Sequence, residues 1–359
     1  MSNLFNKKGR PYVIAGPCSV ESRVQLASVV KALAVNHSVD MIRCGVWKPR
    51  TRPGGFEGLG EPALIWIDEQ RELFPEARFC CEVARPEHVE LCLKHKIDAV
   101  WIGARTSGDP FSVGEIAQAL QGSGLAVMVK NPLTADVRLW QGAIERIMSS
   151  GAESIAAIHR GFYQYNDNSG YRNTPLWEVP IELRRLMPEL PIICDPSHIG
   201  GDAKYLFPLM QTASDLGANG YMIEVHPNPF EALTDNAQQI VPDQLDVLLK
   251  QIVRRCPSPS DNSDLERLRK QIDAVDNALI SKLAERMRLS AEIAQIKSES
   301  NMTIFQPKRW DEILHKRIEE AHWLGLDEEF VKSLYEKIHA ESVRVQETSI
   351  GNSHNGDIW

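Results

Sequence analysis

The chain lacks any uninterrupted apolar run of membrane-spanning length, and its first residues, MSNLFNKKGRPY, lack the apolar core of a secretory leader. Both absences lead us to expect a cytoplasmic protein. There is no CxxC spacing either. The seven cysteines (Cys18, Cys44, Cys80, Cys81, Cys92, Cys194, Cys256) are odd in number and scattered, which argues against a disulfide framework or a structural zinc site. Most of them read as small buried hydrophobes. An excess of basic charge is missing as well: the formal net charge of -8 speaks against a nucleic-acid surface. What remains, 43% hydrophobic and 25% charged residues over 359 positions, is an ordinary globular composition with room for two domains.

The stretch MIRCGVWKPRTRPGGFEGLG at 41–60 organises the rest. A short apolar run ends in Arg43, and Lys48, Arg50 and Arg52 follow on a loop broken by Pro49, Pro53, Gly54 and Gly55. Such a loop is neither helix nor interior strand, and its cations suit phosphorylated or carboxylated ligands. The plainer reading is a solvated basic loop. What weighs against it is repetition. Apolar runs at 12–15, 41–43, 78–82, 99–102, 126–130, 154–158, 192–195 and 221–225 read as buried parallel strands, with helix-periodic segments such as 25–36, 87–95, 113–120, 137–149 and 203–216 between them. Eight βα units predict a (β/α)8 TIM barrel in the α/β class. A doubly wound sheet fits the same rhythm, because strand order is not readable here. Chemically loaded residues fall at every strand end: Cys18, Arg43 and Lys48, Glu82, Arg105, Lys130, His159 and Arg160, Asp195 and His198, Glu224 and His226. In a barrel those ends share one face.

After Arg255 the composition changes. CPSPSDNS at 256–263 reads as a short proline/serine linker. From 264 to about 301, apolar residues recur by threes and fours with no Gly or Pro, predicting a helix of roughly 55 Å. Helices at 308–324 and 327–348 follow, broken at Gly325, and the tail 351–359 is expected to be disordered. The domains expected are thus a barrel at 1–255 and an all-α three-helix domain at 264–350. Three helices of such unequal length leave an apolar stripe uncovered, so a second copy of the chain is the expected cover.

Cys18, His198, Glu224 and Asp235 form a mixed sulfur, nitrogen and oxygen set suited to a divalent metal with a position left open. Taken singly, Cys18 also reads as core filler and Asp235 as a helix cap. Arg43, Lys48, Arg50, Arg105, Lys130 and Arg160 exceed what one phosphate needs and suggest two anionic substrates. In the helical part, Arg286 and Lys297 lie 11 positions apart, about three turns, so they share a helix face roughly 16 Å apart. Arg269 lies 17 positions before Arg286 and would join them only from an antiparallel second chain. Solvated charges on a dimerisation helix are the plainer alternative.

The motifs AGPCSVE, IRCGVWKPRT, WIGAR, VMVKNP, IHRG, DPSHIGG and YMIEVHPNPFEALTDNAQQ resemble the strand-end motifs of 3-deoxy-D-arabino-heptulosonate 7-phosphate (DAHP) synthases. That resemblance implies a metal-dependent barrel that condenses phosphoenolpyruvate with erythrose 4-phosphate. It implies Cys18, His198, Glu224 and Asp235 as ligands of a divalent ion (Mn, Fe, Zn or Co). Arg105, Lys130 and Arg160 would hold the phosphate of phosphoenolpyruvate, with Arg43 and Lys130 at its carboxylate. Arg50 and Thr51 would hold the sugar phosphate. Lys48 would be the general acid and Glu82 would place a water, while His159 and Asp195 would also bind substrate. A sister family that uses arabinose 5-phosphate has an Asn-containing loop where this chain has Lys-Pro-Arg-Thr at 48–51, which favours the four-carbon sugar.

LRKQIDAVDNALISKLAERMRLSAEIAQIK resembles the long helix of all-helical chorismate mutases. The resemblance implies conversion of chorismate to prephenate without a cofactor, with Arg269 of the other subunit, Arg286, Lys297, Arg309, Ser342 and Gln346 binding the ligand. Lys297 and Gln346 would face the ether oxygen. Two positions depart: Trp310 stands where relatives often have Glu, and Gln306 where Asp is common. Relatives of the barrel often carry a regulatory domain ahead of the first strand, whereas 11 residues precede Tyr12. Feedback control is therefore expected from the helical part, with prephenate as inhibitor.

Overall fold

The structure is a computed structural model that describes residues 3–7, 9–35, 38–48, 54–165, 169–255 and 263–354. It divides into two compact units, Met1–Pro257 and Ser258–Trp359. Among the described residues no helix is long and apolar enough to cross a membrane.

In the first unit the strands are β1 (Tyr12–Gly16), β2 (Met41–Cys44), β3 (Phe79–Val83), β4 (Ala99–Ile102), β5 (Ala126–Lys130), β6 (Ile155–His159), β7 (Ile192–Cys194) and β8 (Gly220–Glu224). They pair in parallel in chain order, and β1 pairs with β8, so the sheet closes into a barrel. Closure rules out the doubly wound alternative. The connecting helices are α1 (Arg23–Ala34), α2 (Glu61–Leu73), α3 (Pro86–Lys94), α4 (Pro110–Ala119), α5 (Val137–Ser149), α6 (Glu178–Leu186), α7 (Pro196–Gly200), α8 (Leu206–Asp215) and α9 (Pro242–Gln251). Local sequence starts several of them. Ser22, Asp109 and Asp136 accept hydrogen bonds from the first-turn N–H groups of α1, α4 and α5. Prolines open α3, α4 and α9, where a missing N–H costs nothing.

Alternation along each strand sorts the barrel into an outer and an inner face. The inner cluster includes Tyr12, Ile14, Met41, Cys80, Trp101, Met128, Ile158, Ile193 and Met222. Phe5 joins it, fully buried, with its ring edge-on to Tyr12 at 5.4 Å. That plug is anchored by Asn3, whose Nδ2 donates to the Ile155 carbonyl at 2.7 Å. Two residues beyond six of these apolar positions stand Arg43, Glu82, Lys130, Arg160, Asp195 and Glu224. By the same alternation they point inward, above the apolar plug.

The second unit consists of α10 (Ser263–Glu299), α11 (Pro307–Trp323) and α12 (Glu328–His354). α10 and α11 both pack on α12, and Gly325, at φ +69°, makes the turn between α11 and α12. The expected disorder at 351–359 is corrected in part. α12 continues to His354, since one interior glycine, Gly351, costs a helix only about 1 kcal/mol. Residues 355–359 lie outside the described residues, as do 256–262 of the expected linker. The first half of α10 has little cover: Leu268, Ile272, Val275 and Leu279 are 48%, 59%, 59% and 56% exposed.

Candidate active sites

Three of the four expected metal ligands converge at the C-terminal mouth of the barrel. Cys18, Glu224 and Asp235 each offer a ligand atom, all within 4.8 Å of one another. Asp235 Oδ2 is 3.3 Å from the Cys18 sulfur. Cys18 is placed by a close approach: a Cβ on Gly45 would lie 1.8 Å from the Cys18 carbonyl, so only glycine fits there. His198, at the start of α7, stands beside this triangle rather than within it. Its Nε2 is 3.6 Å from Glu224 Oε1, and its Nδ1 is 2.8 Å from Asp195 Oδ2. Burial, with Lys130 adding to it and Asp195 opposing, keeps the imidazole below its ordinary range.

Lys48 donates to the Cys18 carbonyl at 3.0 Å and reaches its sulfur at 3.1 Å. Burial, with Glu224 beside it, pushes the Cys18 thiol up to about 12 against the pull of Lys48. Burial also works to discharge Lys48, but the Cys18 sulfur, Glu224 and Glu82 outweigh it. A buried thiol raised this far gives up its proton only to a strong cation, and two carboxylates and an imidazole beside it complete a donor set that fits a divalent metal.

Arg43 is fully buried. One terminal nitrogen lies 3.0 Å from Glu224 Oε1, and its guanidinium sits 5.2 Å from the centre of the Trp101 ring. Among the described residues its Nε and Nη1 have no hydrogen-bond partner. Buried guanidinium donors left open in this way suit an anionic ligand. Lys130 Nζ donates to Asp195 Oδ2 at 2.8 Å. Burial opposes the charge on Asp195, yet His198, Lys130 and Arg43 hold its carboxyl well below the usual range. Arg160 is nine-tenths buried and donates to Asn173 Oδ1 at 2.7 Å. Glu82 Oε2 accepts from the Trp101 indole at 3.2 Å, and a Cβ on Gly103 would strike Glu82 Oε1 at 2.1 Å. Arg105 is exposed in the turn after β4, near enough for its charge to act on Arg160.

His159 is not brought to this cluster. It sits one residue out of phase with Ile158 and Arg160, so the pleat turns it to the outer face. There its Nε2 lies 2.6 Å from the Pro175 carbonyl and its ring is edge-on to Trp177 at 4.9 Å. The expectation that it touches substrate came from proximity in sequence and ignored that alternation. Arg50 and Thr51 lie outside the described residues.

Several groups at the mouth escaped the sequence reading. Gln238 Nε2 donates to Glu224 Oε2 at 2.7 Å, Gln239 Oε1 accepts from the Cys18 N–H at 3.1 Å, and Arg172 lies 3.0 Å from Asp235 Oδ1. Asn131 Oδ1 accepts from the Arg160 N–H at 2.7 Å. The glutamines stand inside the motif that carries Asp235, a usable signal. Arg172, in the loop after β6, has no such marker.

In the helical unit Arg286 is hydrogen-bonded to Ser342 Oγ. Lys297 donates to the Ile304 carbonyl and lies 3.3 Å from Gln346 Oε1. α12 thus brings the two cations of α10 to one face, since Ser342 and Gln346 are one turn apart. Trp310 stacks on His339 with ring centres 4.1 Å apart. Arg309 and Arg269 are not part of this group. They are exposed and pair with their own helices, through Glu312 at 3.0 Å and Glu266 at 2.8 Å.

Comparisons with known proteins agree with this division. Residues 3–255 match the DAHP synthetase I family, and residues 268–347 match chorismate mutase type II. One relative, a phospho-2-dehydro-3-deoxyheptonate aldolase of Thermotoga maritima, is 32% identical over 64% of this chain and 64% of its own length, so this chain spans less than two thirds of that relative. Another, a 2-dehydro-3-deoxyphosphooctonate aldolase of Wolinella succinogenes, is 32% identical over 67% of this chain and 97% of its own length. A crystal structure of the Thermotoga maritima phospho-2-dehydro-3-deoxyheptonate aldolase (DAHP synthase) superposes with a TM-score of 0.60 at 29% identity, covering 68% of this chain and 69% of that one. The chain belongs to the DAHP synthetase I family through its barrel, and it carries a chorismate mutase type II domain after it.

Proposed function

We propose that the chain is a bifunctional enzyme of the shikimate pathway, acting in the cytoplasm as a homodimer. The barrel, at 1–255, joins phosphoenolpyruvate to erythrose 4-phosphate, giving DAHP and phosphate. The helical domain, at 264–350 beyond a Pro/Ser linker at 256–263, turns chorismate into prephenate. The observation that carries the first half is the meeting of Cys18, Glu224 and Asp235 next to Lys48, His198 and Arg43.

Those ligands with His198 would hold a divalent ion, Mn, Fe, Zn or Co, which when bound makes the sugar aldehyde electrophilic. Arg105, Lys130 and Arg160 take the phosphate of phosphoenolpyruvate, Arg43 and Lys130 its carboxylate, and Arg50 and Thr51 the phosphate of the sugar. Carbon 3 of phosphoenolpyruvate attacks the aldehyde carbon, and Lys48 gives its proton to the new hydroxyl. Water placed by Glu82 adds at carbon 2, and the carbon–oxygen bond to phosphate breaks. Asp195 keeps the Lys130 ammonium and the His198 ring in place.

In the helical domain the chemistry is a pericyclic rearrangement. Arg286 and Arg309, with Arg269 of a second copy, clamp the carboxylates, Ser342 helps fix the ligand, and Lys297 and Gln346 meet charge on the ether oxygen. The bare apolar stripe of α10 supports the second copy. Prephenate held there inhibits the barrel; removing the residues after Arg255 should abolish that inhibition.

A paired assay tests the whole reading. Phosphate release should collapse under a chelator and return with metal, while chorismate loss should continue unchanged. The Wolinella succinogenes relative favours one second reading, a five-carbon sugar phosphate in place of the four-carbon one. Phosphate release measured with arabinose 5-phosphate and erythrose 4-phosphate in parallel separates them, and we expect the four-carbon sugar to be used.

A further inference from the structure

Gln238 and Gln239 follow Asp235 in a short turn, and both are buried, at 1% and 3% exposure. Their side chains reach opposite ways to different parts of the donor triangle. Gln239 Oε1 accepts from the Cys18 N–H at 3.1 Å, and its Nε2 donates to the Thr234 carbonyl at 2.8 Å. One amide thereby links the loop after β1, which carries the sulfur, to the residue just before Asp235. Thr234 is also held from its side chain, whose oxygen is 2.7 Å from Ser19 Oγ.

Gln238 makes the other link. Its Nε2 donates to Glu224 Oε2 at 2.7 Å and its Oε1 accepts from Arg172 at 2.8 Å. The same Arg172 nitrogen lies 3.0 Å from Asp235 Oδ1. Each carboxylate therefore has one oxygen engaged outside the triangle. Glu224 keeps Oε1, which lies 3.0 Å from an Arg43 nitrogen and 3.6 Å from His198 Nε2, and Asp235 keeps Oδ2, which faces the Cys18 sulfur at 3.3 Å. Asp235 itself adopts a left-handed backbone, φ +49° and ψ +41°. Asp tolerates that conformation better than most side chains, and contacts around it fix it there. The amide of Gln239 on one side and Arg172 with Gln238 on the other supply that hold.

We propose that Gln238 and Gln239 act together as a clamp that presents Glu224 and Asp235 to the barrel's cation through one oxygen each and fixes Cys18 beside them. They are positioning residues; neither touches the ion. The inference rests on the metal reading of the barrel given above. Outer partners of metal ligands typically set affinity by about 10–100-fold, and the clamp is expected to act within that range.

The test uses the full chain and Mn2+ alone. Affinity is measured by competition with a chelator, and the melting midpoint of the barrel is taken with and without the ion. Gln238→Ala and Gln239→Ala should each weaken Mn2+ binding about 10–100-fold and shrink the rise in midpoint that Mn2+ produces. Chorismate turnover should stay near the parent's, and the metal-free midpoint should fall by less than the metal-loaded one. Should the alanine chains not fold, Gln238→Asn and Gln239→Asn, which shorten the reach by one methylene and keep the amide, carry the same expectation. Variants that hold Mn2+ as tightly as the parent would overturn the clamp and leave the metal reading standing. So would a loss of midpoint equal with and without the ion, which marks packing alone. A parent chain that binds no Mn2+ would overturn both.

Discussion

The two units solve the problem of gathering cations in opposite ways. At the barrel mouth Arg43, Asp195 and Glu224 are fully buried and Lys130 nearly so, each ionised group answered by another. In the helical unit the side chains of Arg269 and Arg309 remain 58% and 67% exposed, and among the described residues each pairs within its own helix. A closed barrel delivers inward charges from six strand ends of a single chain. Three helices of unequal length do not enclose anything alone, and half of α10 is left bare. The barrel site should therefore be complete in one chain, and the helical site should need two.

The widest separation between the units comes from Lys48. Replacing it by Met should lower phosphate release about 10²–10⁴-fold, the usual worth of a positioned proton donor, with chorismate loss unchanged in the same samples. In the other direction, Lys297→Met should cost chorismate turnover about 10²–10³-fold, as loss of one charge-stabilising donor does, and leave phosphate release intact. Mixing subunits sharpens the contrast. Arg269→Ala and Arg286→Ala chains, each inactive as mutase, should on mixing recover about a quarter of parental turnover, because half of the dimers then hold one intact site. No recovery would mean that each helical site is built from one chain.

Much of this arrangement was legible beforehand, and the places where it was not are instructive. The eight βα units show because buried parallel strands are short apolar runs between amphipathic helices, as at 126–130 and 137–149. Cys18 and Glu224 show because one follows β1 and the other closes β8, whereas Asp235, well past β8, shows only through its motif. Barrel closure does not show, since β1–β8 pairing links residues about two hundred positions apart. His159 was misjudged although the signal existed. Counting by twos from Ala156 and Ile158 leads to Arg160 and skips it. Arg172 carries no periodic signal, as a loop crossing over from β6 fixes its place. Gln238 and Gln239 were visible only as part of a motif, because their roles depend on where four other groups end up.

Smaller effects probe the layers beneath the sites. Phe5→Ala empties the barrel floor and should destabilise the first unit by about 3 kcal/mol, read as an earlier urea transition of the barrel with the helical transition unmoved. His159 offers a pH handle. Burial pulls its imidazole down to about 4, against the pull of the Pro175 carbonyl, while the unfolded chain titrates near 6.5. Between those values the unfolded state binds more protons, so this residue's share of stability is present above about 6.5 and is lost as pH falls toward 4. His159→Gln should flatten the stability profile over that window and leave the KM for both barrel substrates unchanged. A raised KM would return His159 to the substrate side.

The most direct test of the central claim is X-ray absorption at the zinc edge of the Zn2+-loaded full chain. One sulfur neighbour at about 2.3 Å is expected together with nitrogen and oxygen neighbours near 2.0–2.2 Å, and the sulfur should be lost in Cys18→Ser. A zinc shell of oxygen and nitrogen alone in the parent chain would contradict it.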